Sequence, residues 1–588
     1  MTEAVETRGR ASAANSGLAA LAASTHRRGE LRLVLLAAVV GILSGAVAMA
    51  ISSGAKWMHA ILFGAGTDGM LSRLPSLSQP YMYLIPAVGG LAIGLLAWIV
   101  RKVRPGGIRD PIEANALHGG RMSLLDSAIL SVQVMLCNGF GASVGMEAGY
   151  SQAGAGIGST IASRLGLSRG QCRVLVGSGA AAGIAAAFHA PLTGAFYGFE
   201  LIIGVYAIPS VAPVMTAALL AVLTVRTLGA EPFPIIVPPI PDLTLADYPP
   251  FILLGLIGAG VAIAIMRLVT LVEKGFQLSG VPAPLRPMIG GLGVGALALY
   301  SPQIMSSGEG ALHIQVGTGV TVSVLLVFLL KICASSLSLG SGFRGGLFLA
   351  ALFLGSLMGK LFAGAAAFAG LPVDPVVSAV VGMAALAVGI VGGPFTMTFL
   401  TLETTGDLAI SGLVLTAAIA CSLTVRETFG YSFSTWRLHL RGESIRGAHD
   451  VGWLRDLTVG RLMEPMRATF SADGTQAAFR AAFPLGQIRH VTLLDAEGRY
   501  AGLVRVARVY SAGQDGPIDA FAQHRNAILH PDMNVTEAAG VFRDANAEML
   551  AVVDPDTGQV LGQLHEVEAL RRYAHEVEIA RRDLSGGD

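Results

Sequence analysis

The chain has 588 residues, 53% hydrophobic and only 13% charged, against roughly 25% charged in soluble domains. That balance excludes an ordinary cytosolic globule and points to a protein lying mostly in a membrane. A net charge of +1 argues against a nucleic-acid partner. The 75 glycines are nearly twice the usual ~7% share, which suits helices packed through small residues. Four scattered cysteines, Cys137, Cys172, Cys333 and Cys421, lack metal-ligand spacing and read as buried thiols.

Residues 1–30 carry Arg8, Arg10, Arg27 and Arg28 without a short apolar run and cleavage site. They read as a retained, disordered tail, placed on the cytoplasmic side by the positive-inside rule. Membrane repeat 1 is expected over 31–230. Leu33–Ile51 and Tyr81–Val100 are long enough to cross ~30 Å of hydrocarbon. After them the apolar runs become uneven and are broken by Gly and Pro: Met122–Cys137, Val174–Phe188, Pro191–Tyr206 and Val211–Leu228. Short, interrupted segments point to discontinuous helices that build a site inside the membrane.

Between the first of these runs and the rest lies Asn138–Ser159, NGFGASVGMEAGYSQAGAGIGS, which sets Glu147 among glycines. A carboxylate in such surroundings is a functional hypothesis by default. The stretch reads as a loop feeding a helix N-terminus, where free N–H groups attract an anion. A glycine-rich packing helix capped by its Glu is the alternative.

A proline-rich connector follows over 231–250, then membrane repeat 2 over 251–442, with apolar runs at Phe251–Val272, Met288–Tyr300, Val320–Ala334, Leu347–Phe362, Val376–Val391 and Leu408–Thr424. The halves repeat residue by residue. Pro191, Thr193, Phe196 and Glu200 recur as Pro394, Thr396, Phe399 and Glu403, each displaced by 203 positions (191 to 394, 200 to 403). Internal repeats of this kind mark transporter folds whose two halves enclose a pathway.

After a linker at 443–456 the composition turns polar and two similar α/β blocks appear, 457–512 and 524–574, with a tail at 575–588. In the first, a helical stretch Gln476–Phe483 leads to the strand-like His490–Val506. In the second, Ala527–Phe542 leads to Leu550–Leu564, and each strand pair flanks a polar turn.

On these residues the membrane region resembles the CLC chloride channel and transporter family, and the C-terminal blocks look like a pair of CBS domains. The family is known for motifs of the form GSGIP, GREGP and GxFxP and a late tyrosine. Here the first stands as Pro105-Gly106-Gly107-Ile108-Arg109, without the anion-coordinating serine. The second is Gly145-Met146-Glu147-Ala148-Gly149, which keeps the gating glutamate and loses Arg and Pro. The third is Gly346-Leu347-Phe348-Leu349-Ala350, and the tyrosine matches Tyr431. The resemblance implies a polytopic α-helical membrane fold of two inverted repeats of broken helices, followed by an α/β CBS pair. It also implies anion binding at Gly106, Gly107, Ile108, Gly145, Met146, Leu347, Phe348 and Tyr431, with Glu147 as gate.

In proton-coupled members an inner glutamate relays protons. That position falls on Leu201, which carries no proton, so Glu200 beside it is the proton-pathway candidate, a paired helix-end carboxylate being the alternative. His189 and Arg109 are further candidates. In nucleotide-binding CBS pairs a Thr and an Asp hold the ribose; here those places look like Arg505, Arg508, His565 and Glu568, a poor set. The tail is therefore read as dimerising or gating without a cofactor, an adenine nucleotide being the alternative, and the cysteine spacing gives no metal site.

The expectation is a homodimer in the cell membrane, termini cytoplasmic, that moves chloride or a similar monovalent anion as a proton-gated exchanger, with a passive chloride channel as the alternative. A CBS-regulated divalent cation channel is more remote, because such a pore needs converging oxygen ligands. No enzyme is expected: Ser143 has no evident His and Asp partners, and there is no HExxH.

Overall fold

The computed structural model describes residues 2–66, 69–104, 106–230, 244–316, 322–371, 373–442, 457–512 and 516–585. The chain divides into two units, built on Met1–Asp450 and Val451–Leu584. The expected linker, 443–456, and connector residues 231–243 lie outside the described residues.

The first unit opens with α1 (Thr2–Phe63), α2 (Ile85–Val103), α3 (Pro111–Leu117), α4 (Leu124–Gly139), α5 (Glu147–Arg164), α6 (Arg169–Phe188) and α7 (Pro191–Tyr197). A π-helical turn, Gly198–Ile203, and α8 (Ile208–Thr227) complete the first half. The second half runs through α9 (Tyr248–Leu278), α10 (Arg286–Ala298), α11 (Glu309–Val316), α12 (Val322–Ser341) and α13 (Phe348–Phe368). It ends with α14 (Pro375–Val391), α15 (Pro394–Thr405), α16 (Leu408–Thr428) and α17 (Phe433–Leu440). Among the described residues, eight helices are long and apolar enough to cross a membrane.

Prolines begin many of these helices, because the missing N–H is one that a first turn leaves unbonded anyway. Gly392 (φ 94°) and Gly406 (φ 71°) end α14 and α15 in the left-handed conformation that glycine adopts without strain. Two expectations change. Residues 2–30, expected to be disordered, continue as backbone of α1, since the stretch is rich in alanine and free of proline. Of the four cysteines, Cys333 is exposed on α12, where an apolar side chain can face lipid.

The two halves pack alike. α5 lies on α6 as α13 lies on α14, α1 on α8 as α9 on α16, and α6 on α8 as α14 on α16. Backbones touch in both copies: a Cβ on Gly154 would stand 2.0 Å from the Gly179 carbonyl oxygen, and one on Gly355 2.3 Å from that of Gly382. Packing this close replaces the hydrophobic effect as the source of helix association in lipid.

The repeated Pro-Thr-Phe-Glu set forms the seam between the halves. The Glu403 carboxylate accepts from the N–H groups of Leu192 (2.8 Å) and Thr193 (2.8 Å) and from the Thr193 hydroxyl (2.7 Å). The Glu200 carboxylate accepts from the N–H groups of Phe395 (3.0 Å) and Thr396 (2.8 Å) and from the Thr396 hydroxyl (2.6 Å). Phe196 and Phe399 stack between them with centroids 4.2 Å apart. Each carboxylate stands at the C-terminal end of its own helix and caps the start of the other, so α7 and α15 run antiparallel and the repeats are inverted about a local two-fold.

In the second unit β1 (Thr469–Ser471), β2 (His490–Leu494) and β3 (Tyr500–Arg505) form one sheet, and β4 (Met549–Val553) and β5 (Val560–His565) another. The helices Gln476–Ala482 and Val535–Ala545 precede the two hairpins. Both hairpins carry a register shift at the same place, between Leu493 and Leu494 and between Val552 and Val553, the signature of a duplicated module. Glu464 bridges to Gln563, so the start of the first block pairs with the second. The helix Glu566–Ser585 runs through most of the expected tail.

Two predictions follow from these contacts. Glu200→Ala and Glu403→Ala leave equivalent, largely half-buried N–H groups unpaired, so each should lower the unfolding free energy of the detergent-solubilised protein by about 1 kcal/mol, and by similar amounts. In the second unit, partial burial and the nearby Arg505 guanidinium push His490 below its ordinary 6.5. The unit should therefore keep its full stability above pH 6.5 and lose it as pH falls from there through the folded value. Calorimetry of the intact chain should show the effect reduced in His490→Gln.

Candidate functional site

The site begins where two glycine-flanked loops meet. Gly145 and Gly346, one from each half, form an antiparallel bridge, with Gly145 N–H to Gly346 O at 2.9 Å and Gly346 N–H to Gly145 O at 3.1 Å. This holds the starts of α5 and α13 side by side. The first N–H groups of a helix have no partner within it, and they carry the positive end of the helix dipole.

Glu147, the first residue of α5, is 3% exposed. Its Oε1 accepts the N–H of Leu349, in the first turn of α13, at 2.8 Å. Its Oε2 is buried and has no partner among the described residues. The carboxylate folds back over the loop: a Cβ on Gly145 would stand 2.1 Å from Oε2. Glu147 thus occupies a position that an anion attracted to α13 would take.

A cavity of ≈ 80 Å³ opens beside it. Asp110 and Ile112 from the start of α3 line it, with Glu147 and Ser151 of α5, Tyr197 of α7, Leu347 and Phe348 of α13, and Phe433 and Ser434 of α17. The Tyr197 hydroxyl donates to Ser151 Oγ at 3.4 Å. The Phe348 ring packs on Phe188, centroids 5.0 Å apart, which fixes one wall. Lys331 of α12 is fully buried, its Nζ donating to the carbonyls of Ile304 (3.0 Å) and Ser306 (2.9 Å), and its charge acts on Glu147.

The structure brings together Glu147, Leu347 and Phe348 as expected, and adds Leu349 as the donor. The other candidates stand as follows. The Gly145 N–H is already engaged by Gly346, and Met146 caps α5 with its sulfur 3.7 Å from the Tyr150 hydroxyl. Gly106, Gly107 and Ile108 lie outside the cavity lining, Gly106 and Gly107 exposed, because α3 starts later, at Asp110-Pro111. Tyr431 stacks on His439, centroids 4.6 Å apart, with its hydroxyl 3.3 Å from Nδ1. Tyr431 is not among the residues that line the cavity; the tyrosine there is Tyr197.

Glu200 is engaged as the cap of α15, and Leu201 lies in the π turn. His189 ends α6 in the left-handed conformation, and the carbonyl of Arg109 accepts from Gln152 at 3.0 Å. Ser143 pairs with Ser335 at 3.0 Å. In the second unit Arg505 is held by Glu548 at 3.0 Å and lies 3.3 Å from His490. Arg508 and Glu568 are exposed, and His565 ends β5.

Three residues of the site escaped the motif comparison, and two had sequence signals. Asp110-Pro111 with Glu113 three positions after the Asp is a helix-start pattern. Lys331 is a lone cation in an apolar run, itself a functional flag. Tyr197 had none beyond membership of the repeat helix.

Residues 89–426 match the family described as "Voltage gated chloride channel". The voltage-gated ClC-type chloride channel ClcB of Citrobacter koseri is 30% identical over 411 residues, 68% of this chain and 98% of that protein. Its counterpart in Salmonella typhimurium is 28% identical over 403 residues, 67% and 96%. A slow cyanobacterial Cl−/H+ antiporter shares the fold with a TM-score of 0.61 at 23% identity, over 70% of this chain and 98% of that one. A eukaryotic CLC transporter gives 0.54 at 18% identity, over 92% and 98%.

The geometry at Gly145 can be tested directly. Gly145→Ala should drive the Glu147 carboxylate off the Leu349 N–H, visible in a structure of the variant. Losing that charge-assisted bond should cost about 2 kcal/mol of stability.

Proposed function

The chain belongs to the voltage-gated chloride channel family, and from that membership we propose that it moves chloride or a similar small monovalent anion through the cavity beside Glu147, with protonation of Glu147 as the gate. The observation that carries this reading is the Glu147 carboxylate seated on the Leu349 N–H at 2.8 Å with its other oxygen unpartnered. An ionised carboxylate at a helix start is held by the dipole and a charge-assisted bond. Protonation removes the charge, weakens that hold and leaves the N–H groups to an anion. Peptide donors bind without a full positive charge in the path, so the ion can also leave.

The leading form of this reading is anion/proton exchange with an altered proton route, since Leu201 cannot relay a proton and Glu200 is engaged as a cap. Those same two facts favour the second form, a passive channel. Family membership leaves no ground for the divalent cation channel. The reading extends to a homodimer with one pathway per subunit, in the cell membrane, both termini cytoplasmic. The C-terminal pair dimerises or gates without a nucleotide, a reading supported by Arg505, Arg508 and His565 standing where a ribose-binding Thr and Asp are expected.

Flux from proteoliposomes tests the proposal. Under exchange, a chloride gradient drives protons uphill; chloride release without proton movement assigns the passive form. Glu147→Gln should abolish proton movement and remove a pH dependence of about tenfold per pH unit, the slope one titrating group imposes. An unaltered pH profile in Glu147→Gln would overturn the gate.

A further inference from the structure

The cavity is lined by two carboxylates, and gating by Glu147 uses one. Asp110 lines the same ≈ 80 Å³ space, placed there by the Asp-Pro start of α3, where its Oδ1 accepts the Ile112 N–H at 2.8 Å. Among the described residues, no Lys, Arg or His stands within ion-pair distance of it. The charges that act on it come from further off: Glu113 on α3, and Arg437 and Arg441 at the end of the chain's α17 region. The charges that act on Glu147 are Lys331 of α12 and Glu309 of α11. Tyr197 feels both carboxylates. The walls from α14 and α17, Ile390, Val391, Phe433 and Ser434, bring no ionisable group.

An anion in that cavity meets both negative charges. Swinging Glu147 aside removes one obstacle and leaves the other. Resting on the anion-pathway reading above, we propose that Asp110 is a second titrating gate of the cavity, so that anion occupancy requires protons on two carboxylates from different helices. Ionised Asp110 repels the anion from the α3 side of the cavity. Neutral Asp110 keeps its carbonyl oxygen available to cap Ile112 and removes the repulsion. Two protons bound for one functional state give a titration steeper than a single group can.

The experiment is chloride flux against pH in proteoliposomes for the full chain, Asp110→Asn, Glu147→Gln and the double variant. Asn is as good an N-cap as Asp, so Asp110→Asn removes the charge and keeps the start of α3; Asp110→Ser, another capping residue, serves if the Asn variant fails to fold. The unaltered chain should approach about a hundredfold change in flux per pH unit on the alkaline limb. Each single variant should fall to about tenfold, and the double variant should be flat. Chloride affinity near neutral pH, read by calorimetry, should rise in Asp110→Asn. The proposal is overturned if Asp110→Asn keeps the slope and affinity of the unaltered chain while Glu147→Gln changes them, for then Asp110 is a cap and nothing more. If neither single variant moves the profile, the gating role of Glu147 falls with it.

Discussion

The structure depends on one requirement: N–H groups at helix starts inside an apolar protein need acceptors, and water is not there to provide them. This chain answers repeatedly with its own carboxylates. Glu403 and Glu200 cap α7 and α15, Asp110 caps α3, and Glu147 reaches from α5 to α13. The first two have both oxygens engaged and hold the halves together. Glu147 has one oxygen bonded and one without a partner among the described residues, and on the reading proposed above that difference separates a structural cap from a gate.

The inverted duplication explains why such starts meet at all. A two-fold between the halves places the start of α5 against the start of α13 through the Gly145–Gly346 bridge. It also places the start of α7 against the end of α15, and the reverse. The same operation that builds a stable seam from Glu200 and Glu403 builds a polar centre from Glu147 and Leu349. Asymmetry within the repeat carries the chemistry: Glu147 on α5 has Phe348 as its counterpart on α13, and the π turn after α7 has no equivalent in α15.

The second unit follows different physics. Its hairpins bury Val491, Leu493, Val552 and Leu564, and its core forms by exclusion of water rather than by close backbone packing in lipid. The first block's leading segment pairs with the second block's β5, so neither block is complete without the other.

Hydropathy and spacing alone determined much of this protein. The apolar runs marked most of the membrane helices, the displacement of 203 positions (191 to 394, 200 to 403) revealed the duplication, and Glu147 stood out as a carboxylate among glycines. These are local properties, and burying an apolar run or a lone charge has consequences that neighbouring residues cannot hide. What only the tertiary structure decided is who donates to whom. Glu200 caps α15 because that helix, 195 positions away along the chain, presents its free N–H groups there. Tyr197 and Asp110 line the cavity while Tyr431, Gly106, Gly107 and Ile108 do not, because the position of a helix start shifts by a few residues at no cost to the hydropathy pattern. Hydrogen bonds depend on ångström-scale meetings of distant segments, and no pattern along the chain records those.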